Sequence, residues 1–315
     1  MNTKFDNETL WLVGGVMALL AIATVLGQLL RMHMGGEQSS KTVENLNARI
    51  KAWWLMVAIF GFAMITGGIG SVVLFGITSF LGLREFITLT PTKPGDHRTL
   101  FWVFFVITPL QYWLVAVDWY GLFAIMIPVY AFLFVPLRSV MSGDCDRFLQ
   151  RTSTIQWALM VCVYCVSHAP AIFLLKIPGY EGQSGKLLFY FVLVVQLSDV
   201  LQYVWGKTLG HHKIAPHVSP SKTWEGFLGG ITTATLIGAG LWWATPFTPL
   251  QSAGMSLTIT LMGFAGGLVM SAIKRDRGVK DYGTIIEGHG GVMDRIDSIC
   301  FAAPVFFHLT RYYFT

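Results

Sequence analysis

The last 120 residues hold three polar segments whose side chains could do chemistry. The first centres on Asp199, toward one end of the apolar stretch 187–204. A carboxylate at mid-span costs roughly 2.5–3.5 kcal/mol on insertion scales, so Asp199 should face a partner, a metal or water. The plain alternative is a structural interhelical bond. The second segment is 206–226. Its Gly206-Lys207-Thr208 is like the end of a P-loop, but Leu201 stands where the first glycine belongs. Further on, Ser219 suits a helix cap and Pro220 the first turn. Lys222 then projects near a helix N-terminus, a ready anion site. The alternative is a capped helix start with a solvated lysine. His211 and His212 lack a cysteine at zinc spacing, so they are read as solvated or phosphate-facing.

The third segment is 271–297. Lys274 and Arg275 come at the end of an apolar stretch, a glycine-rich loop with Lys280 and Asp281 follows, and Asp294 and Asp297 then fall three apart on one helix face. Carboxylates hold a hard cation through oxygen. Lys and Arg neutralise phosphate oxygens, and glycine lets backbone approach closely. Together these point to a magnesium–polyphosphate site. A hairpin of ordinary membrane-flanking charges would account for the cations but not for the aspartates or the run His289-Gly290-Gly291.

These residues must be positioned by membrane spans. The chain has 315 residues, 54% hydrophobic and 12% charged, against about 25% charged in soluble domains. The 23 Phe, 11 Trp and 10 Tyr exclude disorder, and 4 Cys exclude a disulfide scaffold. The net charge of +5 does not mark a nucleic-acid binder, because the basic residues form no polar domain or tail. No cleavable signal peptide is evident. A ruler of about 20 residues per span gives ten candidates: 9–30, 52–65, 70–83, 99–117, 120–135, 155–175, 187–204, 227–243, 255–269 and 298–314. The fold class expected is an all-α polytopic bundle.

With alternating connections, 18 of the 22 Lys and Arg fall on one side, leaving Lys4, Lys176, Lys186 and Arg311 on the other. Positive-inside bias then puts both termini outside and the three polar segments in the cytoplasm. Merging the second and third spans would spoil the alternation. The polar stretch 36–51 reads as an interfacial helix or a solvated linker. Residues 1–184 form an N-terminal group of spans and 185–315 the catalytic region. Cys162-x-x-Cys165 lies inside a span, where packing outweighs a redox or metal role. Cys145 and Cys300 carry no argument. His168 and Pro170 line a cavity or kink the helix.

The run Ser271-x-apolar-Lys274-Arg275, then Lys280-Asp281, then His289-Gly290-Gly291-apolar-x-Asp294-Arg295-apolar-Asp297, resembles the signature of phosphatidate cytidylyltransferases, the CDP-diacylglycerol synthases. Upstream, Ser198-Asp199, Tyr203, Gly206, Gly210, Pro216, Ser219-Pro220, 222–226 and Gly229-Gly230 agree with it. Before the last 120 residues the likeness is a pattern of spans, with Arg84-Glu85-Phe86 after the third.

The resemblance implies CDP-diacylglycerol and pyrophosphate made from CTP and phosphatidic acid, with Mg2+ and room for a second monovalent or divalent cation. It implies Asp294 as the leading metal ligand, with Asp281, Asp297 and Asp199 as further candidates. Lys222, Lys274 and Arg275 would hold phosphates, and Ser219, Thr223, Ser271, Lys280, His289, Gly290, Gly291 and Arg295 would line the substrate. Partners are then CTP, the lipid and the bilayer, with a homodimer open, in a bacterial cytoplasmic (inner) membrane. Three positions depart from the pattern: Gly267 stands where the family carries a metal-binding Asp, Met270 where it carries Glu, and Glu287 where it carries Pro. The first motivates an alternative, a catalytically weakened paralogue that binds lipid or nucleotide as a partner. A CTP-dependent lipid-alcohol kinase is a further alternative. A transporter fits poorly, because polar groups gather at one face of one half rather than at the midplane of repeated halves.

Overall fold

The structure is a computed structural model that describes residues 7–33, 37–284 and 290–315, with the side chains of 33, 37–46 and 49 outside that description. Among the described residues there are ten long helices and one hairpin. They are α1 (Asn7–His33), α2 (Glu37–Ile65), α3 (Gly67–Thr88), α4 (Pro94–Ala116), α5 (Tyr120–Val140), α6 (Phe148–Phe173), α7 (Ser184–Leu209), β1 (Lys213–Ala215), β2 (Ser219–Thr223), α8 (Trp224–Gly240), α9 (Pro249–Asp276) and α10 (Met293–Phe314).

α1, α3 to α7 and α9 are each long and apolar enough to cross a bilayer. The apolar part of α2 is shorter, Ile50–Ile65, and α8 has 17 residues. α10 has 22 residues, but its first turns carry Asp294, Arg295 and Asp297. The chain is an all-α, multi-pass membrane protein. The polar stretch after residue 36 is helical, but as the leading half of the 29-residue α2 rather than as a separate interfacial helix.

α2 and α3 are separate helices. The chain turns back between them at Gly67, whose φ of +80° is a conformation that glycine adopts freely. The connections alternate between two ends. At one end Lys186 pairs with Glu8, Lys176 reaches Asp118 at 2.7 Å, the Arg311 guanidinium lies 3.8 Å from the centre of the Tyr120 ring, and Phe247 packs on Phe314. These contacts gather the starts of α1, α5 and α7 and the end of α10, so the two ends of the described chain share one side. All three polar segments lie on the other.

The core sits where α3, α6, α7 and α10 meet, around Leu83, Phe191, Phe306 and Met293. Phe191 and Phe306 stack at 5.2 Å. Polar bonds tie spans together, as expected in lipid. Tyr190 on α7 reaches Ser256 on α9 at 2.6 Å, and the Ser252 hydroxyl donates to the Gly238 carbonyl of α8 at 2.9 Å. α4, α5 and α6 each contain a widened turn, at Val103–Ile107, Met126–Ala131 and Leu159–Cys165. Pro109 removes a donor beside the first, and the Thr108 hydroxyl donates to the Val103 carbonyl at 2.8 Å.

Candidate active site

The hairpin corrects one expectation from the sequence. Ser219 does not cap a helix but pairs with Ala215 in an antiparallel ladder, as Thr223 pairs with Lys213. Helix α8 starts five residues later. Its cap is Thr223, whose hydroxyl accepts from Gly226 N at 3.1 Å. Thr223 is therefore committed to the helix, and Lys222 stands just before the cap. The glycines around it serve packing. A methyl group on Gly226 would lie 2.8 Å from the Gln202 carbonyl, and one on Gly230 would lie 2.4 Å from the Gln202 side chain. Side chains there would force α7 and α8 apart. Gly206-Lys207-Thr208 is helical, inside α7, and so forms no phosphate loop. His212 is exposed, and its Nδ1 lies 2.5 Å from Glu225 Oε1.

Four elements converge near Gly267 on α9. A methyl group there would lie 3.1 Å from Lys222 Nζ, 3.6 Å from Ser298 Oγ and 3.9 Å from Asp297 Oδ2. The Ser298 hydroxyl donates to Asp199 Oδ2 at 2.8 Å, which joins α10 to α7, and Ser298 N donates to Asp297 Oδ1 at 2.8 Å. Asp199 and Asp297 thus share one serine, and each keeps a second oxygen with no donor among the described residues. Lys222 makes no ion pair among them; its Nζ lies 4.6 Å from the centre of the Phe264 ring. Burial pushes this ammonium below the usual lysine range, against the upward pull of Asp199 and Asp297. A half-buried lysine with no ion pair among the described residues, beside carboxylates whose second oxygens have no donor among them, can bind an anion and a cation together.

A second group lies one turn earlier on α10. Lys274 Nζ meets Asp294 Oδ1 at 2.7 Å, both largely buried, and Asp294 Oδ2 accepts from Tyr282 N at 2.8 Å and Gly291 N at 3.0 Å. Asp294 is thus held by a lysine and two backbone amides. Gly290 has φ +81°, and a methyl group on it would lie 2.9 Å from Asp294 Oδ2 and 3.2 Å from Asp281 Cβ. This loop needs glycine for both reasons. Beneath it sits Glu85 at the end of α3, 5% exposed. Its carboxylate accepts from Val292 N at 2.9 Å and Met293 N at 2.8 Å, binding the amides that open α10. Methyl groups on Gly283 or Gly291 would strike it.

The remaining expected residues divide. Ser271 donates to the Gly267 carbonyl of its own helix at 2.6 Å. Arg275 clips the hairpin to α9, with Nε on the Val218 carbonyl at 3.2 Å and Nη1 on the Val279 carbonyl at 3.1 Å. Ser219 is buried in the hairpin, while Lys280 and Asp281 are exposed. Arg295 sits in the first turn of α10, its carbonyl accepting from Gln196 Nε2 at 3.3 Å. His289 and Glu287 lie outside the described residues. Sequence reasoning quoted Glu85 within a pattern but gave it no role. The signal was present: a carboxylate at the end of an apolar span needs a partner, the argument applied to Asp199. Phe264 gave no such signal.

The model of the cytidylyltransferase family matches residues 47–313. An uncharacterized protein of Escherichia coli (strain K12), YnbB, is 38% identical over 301 residues, covering 94% of this chain and 96% of that protein. The phosphatidate cytidylyltransferases of Staphylococcus aureus (strain COL) and Bacillus subtilis (strain 168) are both 29% identical. They cover 77% and 84% of this chain and 90% and 97% of their own lengths. The chain belongs to the cytidylyltransferase family.

Proposed function

We propose that the protein transfers the cytidylyl group of CTP to phosphatidic acid, making CDP-diacylglycerol and pyrophosphate at the cytoplasmic face of a bacterial inner membrane. The observation that carries this is the convergence of Asp199, Lys222, Asp297 and Ser298 around Gly267. The family and the named relatives support the substrates. The lipid phosphate is already anionic near pH 7, so little or no general base is needed. It attacks the α-phosphorus of CTP in line, and the α–β bridging oxygen leaves with pyrophosphate. The protein positions the two phosphates and neutralises their charge.

Lys222 is the cation placed to hold a phosphate, since it makes no ion pair among the described residues. The residues also fit a magnesium ion. Mg2+ is usually held by one or two carboxylates together with substrate phosphates and water, and Asp199 and Asp297 each offer a free oxygen. Among the described residues no group of three or more His, Cys, Asp or Glu side chains forms a cage by itself. Bound there, Mg2+ would neutralise charge on the phosphates. Asp294 instead orders Lys274 and the loop through its three donors.

Gly267 favours the second reading, a weakened paralogue, because no carboxylate projects from that position. Nucleotide-labelled lipid separates the two. Purified protein with labelled CTP, phosphatidic acid and Mg2+ should form CDP-lipid, and Lys222→Ala and Asp297→Asn should abolish it. No product from the wild type, under conditions where a phosphatidate cytidylyltransferase forms it, refutes the enzyme and leaves the paralogue.

A further inference from the structure

An exposed apolar surface on α8 and α9 runs into the site. On α9, Leu257, Leu261 and Phe264 follow at spacings of four and three, so they share a face. Leu257 and Leu261 are exposed, and so are Trp224 and Leu228 on α8. The two helices meet where Phe227 packs on Phe264, ring centroids 4.4 Å apart. Trp224, 50% exposed at the start of α8, stands edge-on to Phe227 at 5.8 Å. Phe264 also carries Lys222 against its ring. A continuous line of rings therefore leads from the outer surface to an ammonium with no ion pair among the described residues.

We propose that this seam seats the glycerol-adjacent part of the lipid substrate, a phospholipid ending in a phosphate monoester, and delivers its phosphate to Lys222. The inference rests on the proposed reaction and names where its lipid binds. A charged headgroup cannot cross hydrocarbon cheaply, so the cation that receives it must be reachable from the helix surface. Acyl chains need an apolar surface open to the bilayer, and the exposed leucines of α8 and α9 provide one. Trp224 suits the headgroup level, where amphipathic rings concentrate. The Phe264 ring holds the ammonium in a cation–π contact until a phosphate arrives. Gly267, one turn beyond Phe264, keeps the space next to Nζ free of a side chain.

The test places p-benzoylphenylalanine at Phe227 in the full chain, in nanodiscs containing radiolabelled dioleoyl phosphatidate. Illumination should label the protein, and unlabelled phosphatidate, but not dioleoyl phosphatidylcholine, should compete. The same probe at Leu133, 63% exposed on α5, should label without such selectivity. Labelling at Phe227 that both lipids compete equally overturns the seat. In turnover, Trp224→Ala should raise KM for dioleoyl phosphatidate roughly three- to tenfold, the scale of one lost aromatic contact, and leave KM for CTP unchanged. An equal rise in both constants also overturns it. Selective labelling without CDP-lipid formation by the wild type would retain the seat and refute the reaction; turnover with unselective labelling would do the reverse.

Discussion

Glu85 joins the N-terminal helices to the site, and its removal gives a quantitative prediction. Glu85→Ala leaves the amides of Val292 and Met293 without their acceptor in a buried place. A hydrogen bond to a charged group contributes about 1.5–3 kcal/mol, and losing a helix cap costs about 0.5–2 kcal/mol. The two descriptions overlap, so the expected loss is about 3 kcal/mol in total. α10 also carries Asp294 and Asp297, and Gly291 N binds Asp294. Loosening this start should therefore lower kcat for CDP-lipid formation well beyond any loss of folded protein. Glu85→Gln keeps the volume and one acceptor oxygen but turns an amide donor toward a backbone donor, so it should fall between wild type and Ala. The assay is turnover at a temperature where every variant is folded, beside thermal unfolding in detergent. Wild-type kcat in Glu85→Ala, with an unchanged melting temperature, would refute the positioning role.

Lys222 predicts a pH dependence. Burial lowers its pKa from 10.5, and only the protonated form binds phosphate. Apparent affinity for phosphatidic acid should therefore fall as pH rises through a value below 10.5, and Lys222→Arg should remove that fall, because guanidinium stays charged; a pH series of the KM for phosphatidic acid checks both. Gly267→Asp places a carboxylate beside Lys222 and should weaken phosphatidic acid binding about tenfold, or 1.4 kcal/mol. A large gain in turnover would instead favour the weakened-paralogue reading. Chelation with EDTA should stop product formation, and added Mg2+ should restore it. Asp96→Ala removes one of the two carboxylates that buried Arg151 meets, Asp96 at 3.0 Å and Asp144 at 3.0 Å. Losing hydrogen bonds to a charged group should cost about 1.5–3 kcal/mol of stability, seen as a lower unfolding temperature with KM for CTP unchanged.

Much of this was legible in the sequence, for physical reasons. Spans announce themselves by length and apolarity, so all ten helices were placed, including α2 and α3 on either side of Thr66. The polar lead of α2 was misjudged because helix formation continues through polar residues when no breaker intervenes. Ser219 and Pro220 carry a real helix-start signal, yet strand pairing with Ala215 overrides it and the helix waits for Thr223. Asp199 was singled out by the cost of a carboxylate in a span, Asp297 by its spacing from Asp294, and Lys222 by a helix start expected at Ser219. Their convergence on Gly267 depends on tertiary contacts between α7, β2, α9 and α10, which local pattern does not encode. Asp294 and Lys274 were both expected to face ligands, whereas in the structure they face each other. The first half read only as a pattern of spans, but it supplies Glu85 to the site and pairs Asp96 with Arg151 under the α4 and α6 starts.

Whether the polar cluster around Gly267 moves a nucleotidyl group onto a lipid phosphate can be read from CTP labelled at either the α- or the γ-phosphorus, with phosphatidic acid, Mg2+ and purified protein. The α-label should enter the lipid fraction, the γ-label should leave as pyrophosphate, and Asp297→Asn should stop both. Transfer of γ-label into lipid would contradict nucleotidyl transfer and mark a kinase.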